Sequence, residues 1–265
     1  MTKSADPWES GTPYENFMGR WSRFVAQEFL AWLNEPPGRR WLDVGCGTGA
    51  LTTAILARAA PARVVGVDPA EPFVAFARHT VPDQRADFRV GDALNLPVDS
   101  RDFEVVVSGL ALNFMPDALA ALGEMARAAG PGGRVAAYVW DYAGKMEMLR
   151  YFWDAAVALN PAAAPLDEGP RFPLCQPAAL ESLFNRAGLQ AIAQTPLEVA
   201  TTFQDFNDFW QPFLGQQGPA PGYVKSLAAD QRAALEERLQ KMLPVQPNGS
   251  IALSARAWAI SGQVR

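Results

Sequence analysis

The stretch WLDVGCGTGALTTAIL, residues 41–56, constrains the fold more than any other part of the chain. An apolar run ends in an aspartate, Asp43, and three glycines follow at alternate positions, Gly45, Gly47 and Gly49, before a helix-forming segment takes over. A strand that turns this tightly into a helix leaves unpaired N–H groups and the positive end of the helix dipole facing whatever the turn admits. Glycine removes the Cβ atoms that would hold a ligand away from that backbone.

The same rhythm continues downstream. Strand-like runs at 40–45, 62–68, 86–91, 103–108 and 133–140 alternate with helical patterns at 49–59, 70–79 and 115–129. Near-continuously apolar strands joined by helices predict a parallel sheet covered on both faces. Upstream, Met18, Trp21, Val25, Phe29 and Trp32 recur at spacings of three and four, which predicts an amphipathic helix over about 15–33 that Pro36-Pro37-Gly38 ends. Beyond 140 the order changes to a helix at 145–159, a Pro-rich segment from Asn160 to Pro177 that reads as a surface loop, and a helix at 177–187. A strand at 189–199, helical segments at 204–214 and 228–243, and a last strand at 250–260 complete the chain. The expected organisation is one domain over 1–265, with a lid or packing helix at 14–35, a binding core at 36–140, and insertions at 141–175 and 200–247 that cap a substrate.

Composition narrows the partners. The net charge is −5 and the 23 Lys and Arg are scattered, so the basic footprint that a nucleic acid needs is missing. Cys46, Cys175 and the single His79 are too few for a zinc or disulfide framework, which leaves no metal site and a cytoplasmic compartment as the expectation. No apolar run reaches transmembrane length, and the N-terminus lacks the pattern of a signal peptide.

What the glycine turn holds is not decided by the turn. Gly45-Cys46-Gly47-Thr48-Gly49-Ala50 fits the dinucleotide fingerprint G-x-G-x-x-G/A, whereas a Walker-type loop is excluded because no Gly-Lys-Ser/Thr follows. A nicotinamide dinucleotide and a smaller adenosine cofactor both call for an acid at the end of the second strand, and Asp68 supplies it. Three features favour the smaller ligand. Asp43 sits badly beside a pyrophosphate but suits an ammonium or sulfonium group. Gly91-Asp92-Ala93 offers a carboxylate to an adenine amino group and a backbone N–H to its ring. No separate substrate domain of dehydrogenase size is present.

Asp43-Val44-Gly45-Cys46-Gly47-Thr48-Gly49, Asp68, Gly91-Asp92-Ala93 and the strand FEVVVSGLALNFMPD together resemble motifs I, post-I, II and IV of the class I S-adenosylmethionine-dependent methyltransferases, in the type 11 branch that includes the quinone C-methyltransferases. The resemblance covers about residues 14–140 by motif. It implies a Rossmann-like, doubly wound α/β fold with a seven-stranded sheet of order 3-2-1-4-5-7-6, strand seven antiparallel, helices on both faces and a small helical cap. It also implies S-adenosylmethionine as cofactor and S-adenosylhomocysteine as product. Gly45, Cys46, Gly47 and Gly49 then admit the methionine part, Asp43 helps hold its amino end, and Asp68 with Pro69 takes the ribose. Asp92 and Ala93 read the adenine, and Ser108 and Gly109 lie near the methyl group.

Tyr14 and Arg20 stand where the first helix would fold over the site, with Arg20 placed to pair with the methionine carboxylate. Asn113, Phe114, Trp140 and Tyr142 are the candidates for the substrate pocket, and Trp153, Phe172, Phe206, Phe209, Trp210 and Phe213 add aromatic character to the cap. No convincing general base is visible. Motif IV reads Ser108-Gly109-Leu110-Ala111 rather than the Asn/Asp-Pro-Pro-Tyr type tied to amino groups of bases or glutamine. The expected activity is methyl transfer to a small apolar or aromatic molecule. A cofactor-binding sensor or scaffold without turnover is the alternative, with a nicotinamide-dependent oxidoreductase behind it.

Overall fold

A computed structural model describes residues 18–215 and 218–265. Seven strands form one sheet in the order β3-β2-β1-β4-β5-β7-β6. The parallel half comprises β1 (Arg40–Val44), β2 (Arg63–Asp68), β3 (Ala86–Val90), β4 (Val105–Gly109) and β5 (Arg134–Trp140). Its central strands are apolar along almost their whole length because helices cover both faces. The register sets Asp43 beside Gly66 on one side and Val107 on the other, and pairs Gly109 with Tyr138.

Helices α1 (Arg20–Leu33), α2 (Ala50–Arg58), α3 (Glu71–Thr80) and α4 (Ala118–Ala129) surround this half. The inner stripe of α1 includes Trp21, Val25 and Phe29 as the spacing predicts, and the Phe29 ring lies 4.6 Å from that of Tyr138. Asp117 caps α4 by accepting from Ala120 N at 3.0 Å, and Gly130, at φ 71°, stops it.

The second half departs from the βαβ rhythm. β7 (Ile251–Gln263) runs antiparallel between β5 and β6 (Gln190–Phe203). Helices α5 (Glu147–Leu159), α6 (Glu168–Arg171), α7 (Pro177–Arg186), α8 (Phe206–Trp210), α9 (Pro219–Ser226) and α10 (Ala229–Met242) fill the connections. Two expectations are corrected here. The Pro-rich segment is no plain surface loop: it folds into a 3-10 turn over Pro161–Leu166 and into α6, burying Ala163, Glu168 and Cys175. Trp153 Nε1 donates to the buried Glu168 carboxylate, and Arg150 pairs with Asp167, so side chains from α5 hold the segment down. The helix expected at 204–214 is α8 followed by a 3-10 turn through Pro212, and α9 is hidden in the sequence by two prolines and a glycine.

Candidate functional site

A cavity of about 340 Å³ opens at the carboxyl edge of the sheet, where strand order reverses between β1 and β4. A second hollow of about 650 Å³ lies at the amino edge, where Arg40 pairs with Glu104 and Arg134 with Glu35. Only the first lies where open α/β sheets bind their ligands.

One half of the cavity is backbone and carboxylate. The N–H groups of Gly45 and Cys46 both donate to Val67 O, at 2.7 and 3.1 Å, and so lash the glycine turn to β2. Gly45 has φ 75°, and a Cβ there would lie 2.5 Å from Ala111 Cβ. Gly47 has φ 51°, and a Cβ there would meet nothing within 4 Å, so a side chain would project into open space at the cavity wall. Gly49, at φ 86°, opens α2.

Asp43 is fully buried on β1. Its Oδ2 accepts from Thr52 Oγ1 at 2.7 Å, while Oδ1 is buried without a partner. Burial pushes the carboxyl up to about 7; the Thr52 bond opposes this and the charge of Asp68 adds to it. An orphaned buried acceptor on a cavity wall marks the place of a cationic or hydrogen-bonding group. Asp68 Oδ2 accepts from Gly47 N at 3.0 Å and Oδ1 from Ala70 N at 2.9 Å, so the carboxylate braces the turn against the start of α3. Burial raises its pKa and these two N–H groups restrain the rise. Each oxygen keeps a further lone pair. Asp92 is exposed at the end of β3, its Oδ1 accepting from Leu94 N at 2.9 Å, with Gly91 and Ala93 on the wall beside it. Cys46 packs on Val74, Ala77 and Phe88. Burial and the two aspartates push its thiol well above the ordinary range, so it is a packing residue and no nucleophile.

The other half is aromatic and apolar. Gly109, Leu110, Ala111, Phe114 and Met115 come from the exit of β4, Tyr138 and Trp140 from β5, Tyr142 from the loop after it, and Met18 and Ser22 from the chain around the start of α1. Leu110 is held left-handed at φ 59°, with its N–H donated to Tyr138 O at 2.8 Å. Such backbone strain in a non-glycine residue gathers at functional sites. Phe172 stacks edge-on to Phe114 at 5.1 Å and lies 5.4 Å from Tyr142. The buried Asp141 anchors that loop, accepting from Gly144 N, Lys145 N and Arg256 Nη2 at 3.0, 3.1 and 2.6 Å. Among the described residues, no carboxylate, lysine or histidine lines this half.

The cavity therefore gathers Asp43, Gly45, Cys46, Gly47, Asp68, Pro69, Asp92, Ala93, Gly109, Phe114, Trp140 and Tyr142. Other candidates are placed elsewhere. Arg20 turns away to the cap, where Nη1 meets Asp208 Oδ1 at 3.0 Å and the guanidinium covers the Trp21 and Phe203 rings at 4.1 and 4.8 Å. Ser108 is sealed inside β4, because alternate strand residues face opposite sides. The amide atoms of Asn113 are buried without partners but off the cavity wall. Gly49 has a structural position, its α-carbon facing Val81 and Ala77. The need for glycine at 109 comes from Tyr138, whose hydroxyl lies 2.6 Å from where a Cβ would stand. Trp153, Phe206, Phe209, Trp210 and Phe213 pack into the cap, with Phe213 stacked 4.5 Å from Phe152. Tyr14 lies outside the described residues.

Thr52 and Tyr138 are site residues that the motifs do not include, and Leu110 lies within motif IV without being among the expected site residues. A polar residue in the apolar run ALTTAIL is a usable signal for Thr52; nothing in the sequence marks the conformation of Leu110. Among the described residues no helix is long and apolar enough to cross a membrane, and no group of three His, Cys, Asp or Glu side chains is placed to hold a metal ion.

Residues 42–137 match the family model described as "Methyltransferase domain". A demethylmenaquinone methyltransferase from Symbiobacterium thermophilum is 34% identical over 121 residues, covering 44% of this chain and 48% of the relative. A biotin biosynthesis bifunctional protein from Cellvibrio japonicus is 29% identical over 231 residues, covering 84% of this chain and 42% of the relative. The chain thus spans less than half the length of these curated relatives. Among solved structures, a phosphoethanolamine N-methyltransferase from Haemonchus contortus in complex with S-adenosyl-L-methionine superposes with a TM-score of 0.55 at 16% identity, covering 96% of this chain and 56% of that one; the likeness is one of fold.

Proposed function

Because residues 42–137 are a class I, type 11 methyltransferase domain with S-adenosylmethionine as its cofactor, we propose that the chain moves a methyl group from S-adenosylmethionine to a small apolar or aromatic acceptor. The observation that carries this reading is the division of one cavity into a carboxylate-and-glycine half and an aromatic half.

When bound, the cofactor supplies an electrophilic methyl group on a sulfonium. In this reading the glycine turn lets the methionine part lie against backbone, and Asp43 Oδ1 accepts from its ammonium. Asp68 takes the ribose hydroxyls through the lone pairs its two N–H partners leave open. Asp92 and the Ala93 N–H hold the adenine edge. Phe114, Trp140 and Tyr142 exclude water and keep a flat acceptor in line with the methyl group; orientation of this kind contributes several kcal/mol. Since the described residues of the aromatic half include no carboxylate, lysine or histidine, an acceptor that is already nucleophilic suits it best. The relatives named demethylmenaquinone methyltransferase make a quinol-type ring the first acceptor to try.

The test is titration calorimetry with S-adenosylmethionine, S-adenosylhomocysteine and NADH, followed by transfer of labelled methyl to quinols, phenols and alkylamines. Both adenosyl ligands should bind, NADH should not, and label should pass to aromatic acceptors. Failure of both adenosyl ligands to bind overturns the reading. Binding without transfer to any acceptor points instead to a cofactor sensor.

A further inference from the structure

α2 carries adjacent threonines that behave differently. Thr53 is exposed and donates to Gly49 O at 2.8 Å, the usual back-bond of a helical threonine to the fourth residue before it. Thr52 is fully buried and gives its hydroxyl to Asp43 instead, at 2.7 Å. A helical threonine has few χ1 rotamers to choose from, and here the hydroxyl is spent on Asp43 rather than on the backbone. It occupies Oδ2 and leaves Oδ1, buried and unpartnered, as the acceptor that remains.

We propose that Thr52 is a positioning residue for the amino-acid arm of the cofactor: by holding Oδ2 it favours the ionised Asp43 and keeps Oδ1 available to an α-ammonium. This rests on the reading that the cavity holds S-adenosylmethionine. Besides burial, which raises its pKa most, two residues act on Asp43. Thr52 on α2 lowers the pKa through its hydroxyl and, less, through its backbone, and Asp68 at the end of β2 raises it by charge; Cys46 in the turn is a neutral thiol. With no cation beside it Asp43 titrates at about 7. A docked ammonium favours the carboxylate, so binding releases a proton around and below that pH, and affinity falls as the pH drops through it. Removing the Thr52 hydroxyl moves this fall to higher pH.

The experiment is calorimetric titration of the wild type, Thr52→Val and Thr52→Ser between about pH 6 and about pH 8.5, spanning the Asp43 titration. The ligands are S-adenosylmethionine, S-adenosylhomocysteine and 5′-methylthioadenosine, which keeps the nucleoside and sulfur but lacks the amino-acid arm. Thr52→Val should bind the first two about ten-fold more weakly near neutral pH, with the pH midpoint raised, and Thr52→Ser should stay within about two-fold of wild type. 5′-Methylthioadenosine should bind all three proteins alike. Thr52→Ala replaces valine if thermal melting shows that valine disturbs the fold. Unchanged affinity and pH profile in the hydroxyl-free variant overturn the proposal while leaving the cofactor assignment in place. So does an equal loss for 5′-methylthioadenosine, which would make Thr52 a packing residue. A wild type that binds none of the three overturns the cofactor assignment and this inference with it.

Discussion

The two halves of the cavity are made by different means. The β1–β3 half is assembled from short local turns: Gly45–Gly49, Asp68–Ala70 and Gly91–Leu94 each place a carboxylate or an N–H within a few residues of a strand end. The β4–β5 half is assembled from distant pieces, with Phe172 meeting Phe114 and Tyr142, and Met18 and Ser22 arriving from the start of α1. Local turns tolerate little change, because backbone conformation itself is the feature that matters. An aromatic wall made of separate side chains can be re-sized residue by residue.

Gly47→Val is the severest way to break the first half. It places a β-branched residue at φ 51° and projects it into open space at the wall, so S-adenosylmethionine binding should fall by more than about 100-fold, or about 3 kcal/mol, with circular dichroism unchanged. Retained binding would mean that the ligand does not approach this turn.

Glu168→Gln tests the cap side through stability. Burial raises the Glu168 carboxyl to about 7, so the native state holds this proton more tightly than the unfolded chain. Its stabilising contribution is present below the ordinary carboxylate range and is lost as the pH rises through about 7, a swing of up to about 3 kcal/mol. Glutamine still accepts from Trp153 Nε1. The variant should therefore gain stability over wild type at about pH 8 and not at about pH 4, by urea unfolding. Parallel curves would show that Glu168 is charged in the folded protein.

Asp68→Ala should weaken S-adenosylmethionine by about 1.5–3 kcal/mol, because it removes a charged acceptor and also unties Gly47 N from Ala70 N. Calorimetry decides, and an unchanged affinity removes Asp68 from the ribose. The smallest effect belongs to Arg20→Ala. Its guanidinium serves Asp208 and the rings of Trp21 and Phe203, so cofactor affinity should change by less than about two-fold while the melting temperature falls slightly. A large loss of affinity would return α1 to the role of a lid.

Much of the parallel half is legible in the amino-acid sequence. The alternation of apolar strands and helices, the glycine turn and the strand-end acids define it, because each depends on residues close in sequence and on a period that backbone geometry imposes. The antiparallel β7 and the strand order follow from resemblance rather than periodicity, and the sheet agrees with both. The Pro-rich segment misleads because its composition signals a loop, whereas Glu168 and Asp167 are caught by Trp153 and Arg150 of α5.

By itself, the sequence determined the parallel strands, the glycine turn and the strand-end acids that line the cavity. Only the tertiary structure decided which aromatic rings reach the cavity, which fill the cap, and where Arg20 and Thr52 send their polar groups. Those choices depend on partners far apart in the chain: Arg20 finds Asp208 at a separation of 188 residues. Even the nine residues from Asp43 to Thr52 cross from strand to helix, so their meeting is set by how α2 docks on the sheet. Local pattern fixes what a segment becomes; packing between segments fixes what its side chains touch.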